Sequence, residues 1–198
     1  AEAGRERAAH GVRGLRALHR GGDGVAGGGP PLARVVLADA DAGLYALGAI
    51  ASKIAFWLPQ AVGVVLYPQM ASPERSVRAL RTAIGVLVAL GTLTVVGVAV
   101  AAPLASVIAG ADYAPVEGLL WAFALHGACL AIVQCGLLAA IAGDRTVVGL
   151  VAWLGVATEA VVMLTVADSV TSMIAIAVVC AALTAATTVI ATSRGWGA

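Results

Sequence analysis

The sequence predicts an all-α fold, an integral membrane helical bundle of about five transmembrane helices, and three observations carry that expectation. The first is composition: 61% of the 198 residues are hydrophobic and 12% charged, with a mean hydropathy of +0.97, whereas a soluble domain is about half apolar and about a quarter charged. The second is a set of apolar runs long enough for the about 20 helical residues that cross a hydrocarbon core of about 30 Å. The third is where the charge sits, because eleven of the twelve Lys and Arg residues fall in the first 34 residues or in short connectors.

Residues 1–42 are rich in glycine and arginine and poor in apolar side chains, so they are expected to form a disordered leader. The stretch GGDGVAGGGPP (21–31) cannot make a spanning helix, and the opening AEAGRERAAHGVRG is not followed by the apolar core of a signal peptide. GVAGGG has neither the preceding strand nor the following GK[ST] of a phosphate-binding loop. DADAG (39–43) lacks the later oxygen ligands of a calcium loop and reads as a helix lead-in.

The transmembrane domain is expected over 43–198, with helices at about 43–68, 83–109, 118–143, 146–167 and 170–193. Unbroken apolar runs of this length without alternation exclude strands. The connectors carry helix punctuation. SPER offers a Ser72 cap with Pro73 at the first helical position, and GDRT offers a Gly143 stop with an Asp144 cap. ADS offers an Asp168 cap, and DYAPVEG starts the third run with Pro115 and Glu117. Such short connectors predict antiparallel packing of successive helices. Gly85, Gly91 and Gly97 are expected to permit close packing of the second run.

Orientation follows from arginines near the helix ends. Arg75, Arg78, Arg81, Arg145 and Arg194 follow the first, third and fifth runs, while the connectors after the second and fourth, GADYAP and ADSVTS, hold no Lys or Arg. This places the arginine connectors and the C-terminus in the cytoplasm. The arginines of the leader run against the rule.

Polar residues inside the runs are the candidate functional residues. Lys53 falls near mid-membrane, where an ammonium group costs at least about 2.5 kcal/mol unless it meets water or a partner. Lys53, Trp57 and Gln60 share a helix face at i, i+4 and i+7, continued by Tyr67, as expected of a cavity lining. Pro59 interrupts the hydrogen-bond ladder and is a candidate hinge. Glu159 is a candidate coupling site for a proton or cation, or an ion-pair partner of Lys53. His126 and Gln134 are expected to make interhelical hydrogen bonds. Cys129, Cys135 and Cys180 have no metal-ligand spacing and read as buried structural thiols. No metal, cofactor or catalytic constellation is expected, and a net charge of +1 offers no field for nucleic acid.

AGLYALGAIASKIAFWLPQAVGVVLYPQMA (42–71), SPERSVRALRTAIG (72–85) and PLASVIAGADYAPVEGLLWAFALHG (103–127) together resemble the second half of bacterial polysaccharide biosynthesis transporters. These are lipid-linked oligosaccharide flippases of the multidrug/oligosaccharidyl-lipid/polysaccharide exporter superfamily. Gly43, Leu44 and Tyr45 opening a helix, Pro68 closing it, and Gly110 with Asp112 and Tyr113 carry the likeness. The resemblance implies half of a two-fold repeated transporter that flips lipid-linked saccharides across the plasma membrane by alternating access, with a multi-pass topology. It also implies a fragment of a longer transporter, partnered by membrane lipids, the saccharide substrate, and a missing N-terminal half or another copy. On that basis Lys53 supplies charge for a pyrophosphate and Trp57 a stacking plate for sugars. A drug or cation exporter of the same superfamily, and a non-transporting membrane anchor or assembly subunit, are the alternatives.

The arginine asymmetry generates a direct test. In a cysteine-free background, single cysteines at positions 112 and 168 are expected to react with an impermeant maleimide added to intact cells. Cysteines at 78 and 145 are expected to react only after permeabilisation, and the reverse pattern refutes the orientation.

Overall fold

The computed structural model describes residues 33, 36–57, 76–142 and 146–194. In chain order the helices are α1 (Asp39–Trp57), α2 (Ser76–Ala101), α3 (Leu104–Ala109), α4 (Ala114–Glu117), α5 (Leu120–Ala142), α6 (Thr146–Val166) and α7 (Val170–Arg194), with a 3-10 turn at Ala111–Tyr113 between α3 and α4. Among the described residues every regular element is helical. Four of the helices, Arg78–Ala101, Leu120–Ala142, Val147–Val166 and Val170–Ser193, are long and apolar enough to cross a membrane. The protein is therefore an all-α bundle of membrane-spanning character. α1 holds 19 residues, among them Asp39, Asp41 and Lys53. The expected continuation of its run to Pro68 lies outside the described residues, as do Gln60, Tyr67, the proposed hinge Pro59 and the Ser72 and Asp144 caps.

α5 is the hub. It packs along α1, α2 and α7 and more lightly on α6, while α6 rests mainly on α7. α5 is apolar all round, as a helix surrounded by others must be. Half of its apolar window is buried, against 17% for α2 and α6. Those two outer helices turn Leu93, Val96 and Val100, and Leu150, Trp153 and Leu154, away from the bundle.

The core contacts fix direction. Tyr45, Val116, Leu120, Phe123, Val170 and Met173 share one cluster with Met163. The starts of α1, α5 and α7 thus meet the end of α6, and these three helices run parallel. Ala79, Leu80 and Ala83 of early α2 pack on Ala131, Cys135 and Ala139 of late α5, so α2 is antiparallel to the hub. The expectation of antiparallel packing between successive helices holds for α2 on α5 and for α6 on α7, while the equally extensive contacts of α5 with α1 and α7 join parallel helices that do not follow one another. Gly127 and Gly136 of α5 leave room there for Ser52 of α1 and Thr188 of α7.

The tightest approaches occur at glycines other than those expected. A Cβ on Gly127 would fall on the backbone of Ser52, and one on Gly48 would fall in the ring of Phe123. The Ser52 hydroxyl donates to the Phe123 carbonyl at 2.7 Å across the same crossing, and Tyr45 meets Phe123 edge to face at 5.1 Å between centroids. In α2, by contrast, Gly85 and Gly97 face open space and only Gly91 approaches a neighbour, Ala128. The two open glycines lie on the outward face of a peripheral helix.

The ends refine the expected boundaries. The second run breaks at Pro103, which stands at the N-cap of α3, because proline cannot donate to the ladder above it. Gly110 then reverses the chain at φ 110°, a backbone conformation open to glycine at little cost. The Ser106 amide donates to Glu117 at 3.2 Å, so a carboxylate serves the first turn of α3. Pro115 and Glu117 form the short α4 rather than the start of α5. Before α7 the cap is Ser169, whose hydroxyl accepts from the Ser172 amide at 3.2 Å. Asp168, expected there, instead accepts from the Ser172 hydroxyl. The boundary at residue 42 also moves: α1 starts at Asp39, and Ala33 and Leu37 are buried in the core.

Two substitutions test this packing. Gly127→Val must separate α1 from α5 and is expected to cost about 1–3 kcal/mol. Gly85→Ala meets nothing and is expected to gain about 0.5–1 kcal/mol by relieving helix entropy. Reversible unfolding in mixed micelles reads both.

Candidate functional site

Polar side chains in the helices collect in two places. The first is on α1. Its Gly48, Ala51, Ser52 and Ala55 face the bundle, so a rotation of about 100° per residue turns the next side chains outward. Lys53 is exposed, and so are Ile50, Ile54 and Trp57, the last at 70%. Lys53 and Trp57 therefore share one face, as their spacing predicts, and that face points away from the hub. Gln60, the third member of the expected stripe, lies outside the described residues.

The register on α5 sets the depth. Ser52 lies against Gly127, seven residues into a 23-residue helix. At 1.5 Å per residue Lys53 is about 12 Å from the start of α5 and about 4–5 Å short of its middle. Trp57, one turn on, lies about level with the middle.

The second collection is half-buried between helices. Nε2 of His126 on α5 is 3.6 Å from Oε1 of Glu159 on α6, with the side chains 14% and 20% exposed. No hydrogen-bond partner satisfies that buried Nε2. The charge of Glu159 also reaches Tyr45 on α1 and Cys180 on α7. Counted along the helices, His126 is about 9 Å from the start of α5 and Glu159 about 10 Å from the end of α6, the same depth below one face of the bundle.

Among the described residues this is the one contact within ion-pair distance, and it sets Glu159 beside His126 rather than beside Lys53, one of the alternatives its sequence position left open. Nε2 of His126 makes no hydrogen bond where an interhelical one was expected, and Gln134 makes no side-chain hydrogen bond among the described residues. The interhelical hydrogen bond of α5 comes from Ser52, which spacing does not single out. Its signal was a small hydroxyl flanked by Gly48 and Ala55 on one face. The three cysteines are free, and no group of His, Cys, Asp or Glu among the described residues could hold a metal ion.

Charge divides between the two ends of the bundle. Asp39 and Asp41, Asp112, Glu117 and Asp168 gather where α1, α5 and α7 begin and α6 ends. Arg78 and Arg81 stand at the opposite end, on early α2.

No protein-family model, characterised protein or solved structure matches the chain.

The pairing generates a double-mutant cycle. Glu159→Gln and His126→Asn are expected to be coupled by about 0.5 kcal/mol or more in thermal unfolding. Glu159→Gln and Lys53→Ala are expected to add independently, and strong coupling there would restore the Lys53–Glu159 pair.

Proposed function

We propose that this chain is one wall of a membrane transporter, a plasma-membrane protein with a cytoplasmic C-terminus, that flips lipid-linked saccharide precursors by alternating access. The observation that carries the reading is the outward presentation of Lys53 and Trp57 near mid-depth. An ammonium group exposed to hydrocarbon there costs at least about 2.5 kcal/mol. Facing an aqueous cavity it costs little. The cavity then lies beside α1 and is closed by further chain or by a second copy.

Such a cavity suits an amphiphile with an anionic linkage. The ammonium group of Lys53 attracts a pyrophosphate, Trp57 offers an aromatic plate to sugar rings, and the apolar flanks Ile50 and Ile54 accept the lipid. Polarity of this kind disfavours a cation exporter, which needs carboxylates on the exposed face. A purely structural anchor has no use for the exposed charge. The chemistry is binding and release with no bond broken, so the chain acts as a transporter rather than as an enzyme.

The test is flipping of a fluorescent lipid-linked saccharide pyrophosphate in proteoliposomes carrying the chain with its full native complement. Lys53→Ala is expected to reduce the rate about tenfold or more with unfolding unchanged, and Lys53→Arg to retain part of it. A cysteine at position 57 is expected to react with a water-soluble thiosulfonate. Unaltered flipping in Lys53→Ala, with no reaction at 57, refutes the reading.

A further inference from the structure

We infer that His126 and Glu159 form an intramembrane proton-binding pair that ties α6 to the α5 hub. The pair stands apart from Lys53 and Trp57, so the inference goes beyond the substrate reading. Its geometry is that of a bond waiting for a proton. Nε2 is buried without a hydrogen-bond partner, and Oε1 of Glu159 lies 3.6 Å from it. This is about 0.8 Å longer than a charge-assisted hydrogen bond.

With imidazole neutral and carboxylate ionised, the pair carries one negative charge within the bundle. Uptake of one proton makes it neutral overall, the proton resting on Nε2 as imidazolium beside carboxylate or on Oε1 as carboxylic acid beside imidazole. Either arrangement supplies a donor to the short contact, and release returns the proton to water and leaves a bare carboxylate. Burial of an isolated charge is costly, so occupancy of the site and approach of α6 to α5 are linked.

The surroundings support one-proton chemistry. On α1 Tyr45, and on α7 Cys180, lie within reach of the Glu159 charge. These are neutral groups in their ordinary state at neutral pH. Lys53 is on the outward face of α1. The described cations of α2, Arg78 and Arg81, stand at the other end, and the carboxylates Asp112, Glu117 and Asp168 lie at the helix ends nearest the pair. No neighbouring cation within the cluster substitutes for the proton. α6 touches the hub only lightly, so a single contact there weighs heavily in its position.

The test uses the whole chain in lipid nanodiscs without substrate, so its outcome is independent of the flipping assay. With isotope-labelled histidine, the His126 signal is the one lost in His126→Asn, the other two histidines being His10 and His19. Across about pH 3–8, where imidazole and carboxyl groups ordinarily exchange protons, that signal is expected to respond and its response to be displaced in Glu159→Gln. Infrared difference spectra of glutamate-labelled chain are expected to show a carboxyl signal changing over the same interval and absent in Glu159→Gln. This second arm needs only the near-isosteric variant and stands if His126→Asn fails to fold. A His126 response identical in Glu159→Gln, or no pH-dependent change at either residue, overturns the proposal. Intact Lys53-dependent flipping alongside that result would leave the transporter reading standing.

Discussion

The meeting of two backbones, α1 at Ser52 and α5 at Gly127, sets the arrangement of the bundle. Lipid tails are as apolar as leucine, so helices in a membrane associate by close packing and hydrogen bonds rather than by escape from water. At this crossing Gly127 leaves room for the Ser52 carbonyl, and the Ser52 hydroxyl satisfies itself on Phe123. One contact then fixes both the register and the rotation of α1. Because Ser52 faces the hub, Lys53 and Trp57 cannot.

The same logic places the other polar pair. α5 takes α1 and α7 as parallel neighbours and leaves α6 on the flank, where Gly155 approaches Thr184 of α7. His126 looks out of the hub on the side where α6 passes, and Glu159 has no lipid-compatible direction except inward. The Lys53–Trp57 face and the His126–Glu159 pair consequently lie on different elements, α1 on one side and the α5–α6 contact on the other. Besides α5, α7 touches both α6 and α1, and Met163 of α6 shares a core cluster with Tyr45 of α1.

Much of the secondary structure was legible because membrane crossing demands long apolar runs and short punctuated connectors. The runs at about 118–143, 146–167 and 170–193 correspond to α5, α6 and α7 within a few residues. Where two signals competed, the finer one won: Pro103 cut the second run although its hydropathy continues, and Ser169 displaced Asp168 as the cap by standing one residue nearer the first turn. Tertiary choice was hidden. Nothing in the spacing of Gly85, Gly91 and Gly97 distinguishes a packed glycine from one facing outward, and tight connectors say which helices follow one another but not which become partners. For the candidate sites, the i, i+4 relation of Lys53 and Trp57 needed only one helix and was readable. The His126–Glu159 contact spans 33 residues and required the bundle.

Snorkelling is the strongest rival account of Lys53, and Trp57 decides against it. Side chains on a helix lean toward its N-terminus, and the start of α1 is the near, acidic end, so a lysine about 4–5 Å short of mid-depth can bend its ammonium toward the headgroups. That relief covers Lys53 alone. Trp57 lies one turn deeper, about level with the middle of α5, and is 70% exposed. Tryptophan favours the membrane interface, where its ring is apolar and its N–H wet, and mid-depth lipid offers the N–H no acceptor. A rigid indole has no long stem with which to reach water. An aqueous cavity beside α1 resolves both residues at once, whereas snorkelling resolves one and leaves the other misplaced. The two residues are therefore one feature, an outward face of α1 that carries an ammonium group and an indole together.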